Sequence, residues 1–359
     1  MSTRPDVVGP GAGLPTAEDG LRVDRFDGLA DEWDAFVRRC DEWTNFHLYG
    51  WKRILEDRLG HDCPYLVVRS PDGGLEGILP LVRVKSPVFG HYLVSMPFVN
   101  YGGPLGSDAA VTALAAAAAD LARNEGADLM ELRSRRRLPL DLPVSHRKIT
   151  VLLDLPADPE VLWDDLASKV RSQVRRPRKE GVEVRFGHDQ VGPFHEVFAQ
   201  HMHALGTPAH GLELFRAVAD EFGEDAWFGC AYLDGKPVAC GAGFRWGDEF
   251  EMTWASDLFE YRKIAPNMLL YWSFMERAIE HDVSVFNFGR CTPDSGTHRF
   301  KQQWGTRDER LWWYQDSEGG KDSTPSPDDD AWSWGPKLWR KLPLRLATAL
   351  GPRIVKYVP

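Results

Sequence analysis

The segment Phe286–Gly305, FNFGRCTPDSGTHRFKQQWG, joins an apolar run to a dense polar stretch. The apolar run, residues 283–288, predicts a buried strand that ends at Gly289. A strand that ends in this way delivers side chains to the carboxyl edge of an α/β sheet, where ligand clefts form. An ordinary strand-to-helix loop with solvated charges is the alternative. The polar side chains that follow the strand are Arg290, Cys291, Asp294, Thr297, His298 and Lys301.

The order of elements that leads to this segment occurs twice in the chain. In the second half, residues 227–246 predict a hairpin about Asp234-Gly235, followed by a strand, a helix near Asn267 and the closing strand. In the first half, residues 65–84 predict a hairpin about Gly73, followed by a strand, the turn PFVNYGGPL, an alanine-rich helix and a closing strand at 127–133. The pattern favours a duplicated α/β domain over a chance repetition of order.

Composition shifts predict the domain boundaries. We expect a disordered arm at 1–20, an N-terminal domain at 21–150, a C-terminal domain at 151–316, a polar linker at 317–330 and a basic amphipathic segment at 331–359. The last segment either lies on a membrane surface or packs its tryptophans against the body.

A single helix is predicted between the two domains, over residues 158–179, with Asp158 as its cap and Pro159 in its first turn. Pro177 should kink or end this helix. Its basic end, which includes Arg175, either complements the helix dipole or forms a rim that attracts a phosphorylated substrate.

Bulk composition bounds the class of protein. The chain has 359 residues, 43% hydrophobic and 27% charged, as in soluble globular proteins. A formal net charge of −10 argues against a specific DNA-binding protein. Five cysteines without a CxxC pair, an N-terminus without an apolar core and the absence of an 18-residue apolar run predict a cytoplasmic protein, with contact at the inner face of the membrane left open.

Several of these pieces together resemble a known family. PFVNYGGPL (97–105), LGTP (205–208), the Asn267 helix, residues 286–305 and the leucine-rich tail look like the FemAB-related branch of the GNAT acyltransferase superfamily, in the subgroup that accompanies exosortase and exopolysaccharide gene systems. The resemblance implies an α/β (α+β) fold of tandem GNAT-like domains, each a mixed twisted sheet flanked by helices. It also implies transfer of an acyl or aminoacyl group to an amine or hydroxyl.

The resemblance also implies site residues and co-substrates. In Fem-type ligases the donor is aminoacyl-tRNA, the acceptor is a peptidoglycan precursor, and an FK pair lies at the active site; that pair carries over to Phe300 and Lys301. This chain departs from the pattern at Cys291, where we expect serine, and in lacking the glycine-rich pyrophosphate loop of acetyl-CoA-dependent GNAT enzymes. Acyl-CoA and aminoacyl-tRNA therefore both stay open as donors, and no tightly bound cofactor is expected.

Acyl transfer to an amine needs a charge near the developing oxyanion and a base for the amine proton. Lys301 and Arg290 are candidates for the charge, and His298 or Asp294 for the base. As an alternative to the base, His298 is an ordinary histidine of a surface loop. As an alternative to direct transfer, Cys291 is a nucleophile beside His298 that carries the acyl group covalently. The further substrate-binding candidates are Tyr101, Gly102, Gly103, Thr207, Pro208, Asn267, Phe300, Trp304 and Arg175. No metal site is predicted, because His201 and His203 do not share a helical face.

The sequence thus predicts an acyl- or aminoacyltransferase for a small-molecule or lipid-linked precursor of the cell envelope or of an exopolysaccharide. The alternative is a catalytically inactive Fem-like subunit that binds such a precursor within a biosynthetic complex. The missing glycine-rich loop favours the second reading, and Lys301 favours the first.

Overall fold

The computed structural model describes residues 21–86, 88–317 and 334–358. The expected arm at 1–20 and all of the expected linker except residue 317 lie outside the described residues. Of the C-terminal segment, residues 331–333 and 359 also lie outside them. No helix within the described part is long and apolar enough to cross a bilayer.

The first half contains the predicted hairpin, third strand, alanine-rich helix and closing strand. Gly73, with a φ of 90°, makes the hairpin turn, and the Ser107 side chain caps the alanine-rich helix by accepting the backbone N–H of Ala110. The elements are β1 (Arg22–Arg25), α1 (Ala30–Val37), α2 (Gly50–Ile54), β2 (Leu66–Arg69), β3 (Leu75–Leu79), β4 (Leu81–Ser86), β5 (Gly90–Ser95), β6 (Leu105–Gly106), α3 (Asp108–Asn124), β7 (Leu129–Ser134), β8 (Val144–Ser145) and β9 (Ile149–Asp154).

The second half follows the predicted order with one correction in its first helix. Residues 158–179 form two helices and not one, because the buried Leu166 and the following Ala167 adopt extended backbone and break the helix. The elements are α4 (Pro159–Asp165), α5 (Ser168–Lys179), β10 (Glu183–Phe186), α6 (Val191–Leu205), α7 (Leu212–Phe222), β11 (Ala226–Leu233), β12 (Lys236–Trp246), β13 (Glu249–Asp257), α8 (Pro266–Glu280), β14 (Val285–Cys291), α9 (Gly296–Gln302), β15 (Arg307–Arg310), β16 (Trp312–Asp316), α10 (Trp334–Trp339) and α11 (Leu344–Val355).

The two halves follow a similar order of strand pairing, as the duplication predicts. The first half divides its strands between two sheets, β1-β2-β3-β6 and β4-β5-β7-β16-β8, whereas the second half forms one sheet, β10-β11-β12-β13-β14-β9-β15. In the second half, β10, β11, β12 and β13 pair antiparallel in sequence, and β13 then pairs parallel with β14. In the first half, β1, β2 and β3 pair antiparallel, as do β4 and β5, and β5 pairs parallel with β7. Pro80 separates β3 from β4, where β12 runs without interruption, because proline has no N–H for a strand ladder.

The halves also exchange strands. β9, which follows the first half in sequence, pairs with β14 and β15 in the seven-stranded sheet of the second half. β16, which ends the second half, pairs with β7 and β8 in the five-stranded sheet of the first half. The division of the chain at residues 150 and 151 stays a prediction, and strand pairing crosses it in both directions. Each half therefore depends on a strand that the other half supplies.

A parallel pair of strands opens at the centre of each half. β13 and β14 pair only over Glu249–Glu251 and Val285–Asn287, after which the strands diverge. β5 and β7 pair only over Tyr92–Val94 and Leu129–Glu131. The loop that follows β5 reaches the opening between β13 and β14, where Asn100 and Tyr101 bond to Glu251. The two openings therefore meet at a buried polar seam between the halves.

Candidate active site

The decisive segment does not end its strand at Gly289. β14 continues to Cys291 through a bulge between Asn287 and Arg290. At the bulge Gly289 has a φ of 73°, and its N–H donates to the Asn287 side-chain oxygen at 2.8 Å. A Cβ at Gly289 would lie 2.8 Å from the Met252 carbonyl oxygen, so no larger residue fits. The bulge turns the carbonyls of Gly289 and Arg290 toward α9.

Lys301 reaches those carbonyls from α9, which Ser295 caps by accepting the His298 N–H. Its Nζ donates to the Gly289 carbonyl at 2.7 Å and to the Arg290 carbonyl at 3.1 Å. The side chain is buried, and Nζ forms no ion pair with a carboxylate in the part of the chain that the structure describes. Burial lowers the pKa of Lys301 to about 8, because a desolvated ammonium is disfavoured. The ammonium has a third N–H for a ligand.

Glu251, which the sequence reasoning missed, lies at the same opening and is fully buried on β13. Its carboxylate accepts hydrogen bonds from the Tyr101 hydroxyl, from Asn100 Nδ2 at 2.5 Å and from Asn287 Nδ2 at 3.2 Å. Desolvation raises the pKa of Glu251 to about 7, although these hydrogen bonds oppose the rise. Asn100 and Asn287 were missed as well. A carboxylate or amide inside an apolar strand, as in FEM and FNF, is the signal that could have found two of them.

Tyr101, a predicted substrate-binding residue, fixes this cluster from the first half. Its hydroxyl also accepts from Asn287 Nδ2 at 2.7 Å, and the Arg135 guanidinium lies 5.3 Å from its ring centre. Arg135 Nη1 donates to both Glu249 carboxylate oxygens, at 2.9 and 2.8 Å. Burial raises the pKa of the Tyr101 phenol well above its usual range, so the phenol stays a donor to Glu251.

Arg290 lies half-buried beside Trp313, whose ring centre is 5.1 Å from the Arg290 guanidinium and 4.5 Å from that of Arg133. Burial and the Arg133 cation lower the pKa of Arg290 to about 10. The Arg290 guanidinium forms no hydrogen bond or ion pair with any described residue. Arg133 bonds to Glu131 through Nε at 2.8 Å, but its buried Nη1 has no partner there. The two guanidinium groups thus keep donors for an anionic ligand.

A small cleft opens beside Arg133 in the first half. The Gly102 N–H donates to the Arg133 carbonyl at 3.1 Å, and the Gly103 carbonyl accepts from His47 Nε2 at 3.0 Å. A Cβ at Gly102 would lie 2.3 Å from the Met96 side chain, so glycine is required for this turn. The cleft is lined by Glu42, Thr44, His47, Tyr101, Gly102, Gly103, Pro104, Leu105, Arg133, Ser134, Arg135 and Arg136.

The two predicted bases lie near the start of α9, with His298 inside this helix and Asp294 in the loop before it. His298 is buried, its Nδ1 accepts the Asp294 backbone N–H at 3.0 Å, and its Nε2 lies 3.0 Å from both Asp308 carboxylate oxygens. Both ring nitrogens therefore already have partners in the protein. The Asp294 side chain is exposed, with a backbone φ of 61°. This geometry makes His298 a residue that positions α9.

Phe300 and Trp304 pack into the core of the second half. Their rings lie 5.1 Å and 6.4 Å from that of Tyr271, and Trp304 also lies 6.3 Å from Phe288. Their roles in substrate binding stay predictions. Within the structure they hold α9 against β14 and α8, and so keep Lys301 in place.

The remaining predicted residues lie in two other places. Asn267 is half-buried in the first turn of α8, and the Arg175 guanidinium lies 5.0 Å from the Trp163 ring. Thr207 and Pro208 follow the end of α6, where the Thr207 N–H donates to the Met202 carbonyl at 2.9 Å. Among the described residues, no group of three or more His, Cys, Asp or Glu is arranged to hold a metal ion.

Comparison with known proteins places this site in a family domain. Residues 167–302, which include Glu251, Arg290 and Lys301, match the family described as an acetyltransferase (GNAT) domain. The chain therefore carries a GNAT domain and is an acyltransferase by class. None of the curated proteins compared with it is significantly similar in sequence.

Solved structures share the fold over most of the chain. FemX superposes with a TM-score of 0.59 at 16% identity, covering 80% of this chain and 96% of FemX. The C-terminal domain of a putative lysylphosphatidylglycerol synthetase from Agrobacterium fabrum gives 0.54 at 13% identity, covering 79% and 90%. L-PGS from Bacillus licheniformis gives 0.54 at 12% identity, covering 81% and 92%. At these identities the likeness shows the fold alone.

Proposed function

We propose that this GNAT-domain acyltransferase moves an acyl or aminoacyl group to an amine or hydroxyl of a cell-envelope or exopolysaccharide precursor. The resemblance to Fem-type ligases, whose acceptor is a peptidoglycan precursor, together with a fold shared with FemX, supports an acceptor of this kind. The fold shared with a protein named as a putative lysylphosphatidylglycerol synthetase supports an aminoacyl group and a lipid-linked acceptor.

The observation that carries the proposal is the joint burial of Glu251 and Lys301 at one opening of the sheet. Burial moves the pKa of the carboxyl up to about 7 and that of the ammonium down to about 8. A base with a pKa near the working pH accepts a proton from an attacking ammonium most effectively. A desolvated ammonium with a free N–H stabilises an oxyanion strongly, because no water competes for it.

In the proposed reaction the acceptor amine or hydroxyl loses its proton toward Glu251 and attacks the donor carbonyl carbon. The carbonyl electron pair moves to oxygen, and Lys301 holds the oxyanion. The oxyanion then collapses, the donor's leaving group departs with a proton, and the acyl group stays on the acceptor. Tyr101, Asn100 and Asn287 keep the Glu251 carboxylate oriented through this sequence.

The cleft beside Arg133 is the proposed acceptor site. Arg133 and Arg290 offer unpartnered guanidinium donors, which suit a phosphate or carboxylate on the acceptor. Gly102 and Gly103 form its wall, and Tyr101 connects it to Glu251. An envelope precursor that carries a phosphate or a peptide carboxylate fits these charges.

The donor site is proposed at the start of α8. Pro266 opens the helix, whose first N–H groups favour an anion. Arg176 Nη1 donates to the Lys263 carbonyl at 3.0 Å, so the basic end of α5, which also includes Arg175, lies beside this helix start. Gln303, two residues beyond Lys301, contacts Met268 there. Both the pyrophosphate of acyl-CoA and the last phosphodiester of an aminoacyl-tRNA, next to the nucleotide that carries the amino acid, match this charge.

The test is the substitution Glu251→Gln, with Glu309→Gln as the matched control on the outer side of Arg135. Acetyl-CoA and a mixture of aminoacyl-tRNAs serve as donors. The reaction is run without an added acceptor, and the slow transfer of the acyl group to water is measured. We expect Glu251→Gln to lower turnover by roughly 100-fold or more, the range for losing a general base. Glu309→Gln should stay within about threefold of wild type, since that carboxylate only flanks Arg135.

The pH profile provides the second readout. Wild-type turnover should rise as Glu251 loses its proton near pH 7 and fall as Lys301 loses its proton near pH 8. Glu251→Gln should remove the rise and keep the fall. Full activity of this variant would contradict Glu251 as the base. A wild-type protein that retains a CoA, tRNA or lipid-linked sugar in native mass spectrometry but transfers nothing would be a binding subunit.

A further inference from the structure

Exposed leucines gather at one end of the second half. Leu205, Leu338, Leu344 and Leu346 are 44%, 57%, 37% and 45% exposed. They are half of the large hydrophobic side chains that are strongly exposed among the described residues; the other half are Leu29, Val88, Val161 and Phe259. We call these four leucines the C-terminal patch. Isolated exposed leucines are ordinary, but a cluster of them marks an interaction surface.

The C-terminal helices are held so that their larger side chains stay outside. α11 buries Ala347 and Gly351, and a Cβ at Gly351 would lie 2.8 Å from the Ala209 carbonyl oxygen. Arg340 Nη2 donates to the Leu205 carbonyl at 3.1 Å, which fixes the end of α10 to the end of α6. His203 Nε2 lies 2.9 Å from the Leu342 carbonyl oxygen. Small residues therefore face the protein, and the leucines of the patch do not serve its core.

The charged residues of the C-terminal segment have one sign. Residues 331–359 contain six Lys and Arg and no Asp or Glu, in a chain whose net charge is −10. Within the described residues none of these six cations forms an ion pair with a carboxylate. The exposed cations are Lys337, Arg340, Lys341, Arg345 and Arg353.

We propose that the C-terminal patch docks on the surface of an anionic lipid bilayer, with α10 and α11 lying in the plane of the interface. Leucines would enter the boundary between headgroups and acyl chains, while the surrounding cations meet lipid phosphates. A protein partner fits less well, because the centres of protein interfaces are enriched in aromatic residues and depleted in lysine.

The patch is connected to the acceptor cleft through the loop that carries Thr207 and Pro208. His210 in this loop lies with its ring 5.7 Å from that of Phe98. Phe98 belongs to the loop that presents Asn100 and Tyr101 to Glu251. Docking would therefore bring the cleft to a lipid-linked acceptor, and this part of the inference rests on the proposed function. The docking itself does not, because it is measured without turnover.

The experiment measures cosedimentation of the full chain with vesicles of phosphatidylcholine and phosphatidylglycerol, and with vesicles of phosphatidylcholine alone. We expect binding to the anionic vesicles that weakens as salt is raised. Leu338→Ser with Leu346→Ser should weaken it at least about tenfold. Val88→Ser with Val161→Ser, two exposed apolar residues elsewhere, is the matched control and should bind as wild type does.

Charge is tested in the same assay. Lys337→Gln with Lys341→Gln should weaken binding by roughly fivefold for each residue. Lys169→Gln with Lys179→Gln, on α5, is the matched control. A common thermal transition for all variants shows that they are folded.

Failure of the wild type to bind anionic vesicles, equal binding to both vesicle types, or unchanged binding of the patch variants would each overturn the inference. Vesicle binding together with no acyl transfer from either donor would refute the proposed function and leave this inference standing.

Discussion

Lys301→Met separates the stability of this protein from its chemistry. An ordinary lysine pKa is about 10.5, and burial brings that of Lys301 to about 8, a difference equivalent to about 3 kcal/mol. Folding at pH 7 therefore proceeds against this penalty. Methionine removes the penalty but leaves the carbonyls of Gly289 and Arg290 without their donor, a loss of about 1.5–3 kcal/mol for each hydrogen bond. Because these effects oppose each other, we expect the unfolding free energy at pH 7 to change by less than about 3 kcal/mol.

The difference between the two proteins should depend on pH. The folded pKa of Lys301 lies below the unfolded one, so the penalty is complete below pH 8 and disappears as pH rises toward the unfolded value. Over that window the unfolded state holds one more proton than the folded state. Wild type should therefore gain up to about 3 kcal/mol of stability relative to Lys301→Met.

Urea unfolding followed by tryptophan fluorescence, at a series of pH values from 7 upward, measures this difference directly. Turnover of Lys301→Met should fall by roughly 100-fold while donor affinity changes little, if the ammonium acts on the oxyanion. A loss of affinity that grows with salt would instead assign Lys301 to a donor phosphate. Lys301→Arg should not restore turnover, because a guanidinium does not fit the site of a point charge.

Two outcomes would refute the reasoning. A stability difference that is constant across the pH series would mean that Lys301 is not desolvated. Full turnover of Lys301→Met at every donor concentration would mean that its ammonium only closes the bulge of β14.

Cys291→Ser should keep turnover within about threefold of wild type, because burial raises the pKa of the thiol and so disfavours the thiolate that a covalent mechanism needs. A larger loss of turnover, or an acyl group found on Cys291 by mass spectrometry, would support Cys291 as a nucleophile. Truncation after residue 317 should preserve the thermal transition to within a few degrees, since α11 buries only Ala347 and Gly351 among its described residues. Truncation after residue 306 should abolish cooperative unfolding, because it removes β15 and β16 from two different sheets; a folded product would contradict the strand exchange.

The sequence located the segment that carries two residues of the proposed site. Lys301 and Arg290 could be named because a polar stretch after an apolar strand is a local pattern. Glu251 has only a weak local signal, a carboxylate inside an apolar strand, and its burial depends on Tyr101, which lies 150 residues away in the chain. His298 could be named as a candidate base because it follows the same strand, and that role stays a prediction. Only the structure shows that its Nδ1 accepts the Asp294 backbone N–H and that its Nε2 contacts the Asp308 carboxylate.

The order of hairpin, strand, helix and closing strand in each half was determined by the sequence, because periodicity, turn glycines and helix caps act over a few residues. The duplication followed from that order, and its GNAT-like character from the resemblance of the quoted motifs to a known family. Strand exchange was decided by tertiary structure, since β9 and β16 are short apolar runs whose neighbours are chosen by the fit of whole sheets. The pKa of Glu251 was decided there as well, because desolvation depends on what covers a carboxylate and not on the residues beside it in the chain.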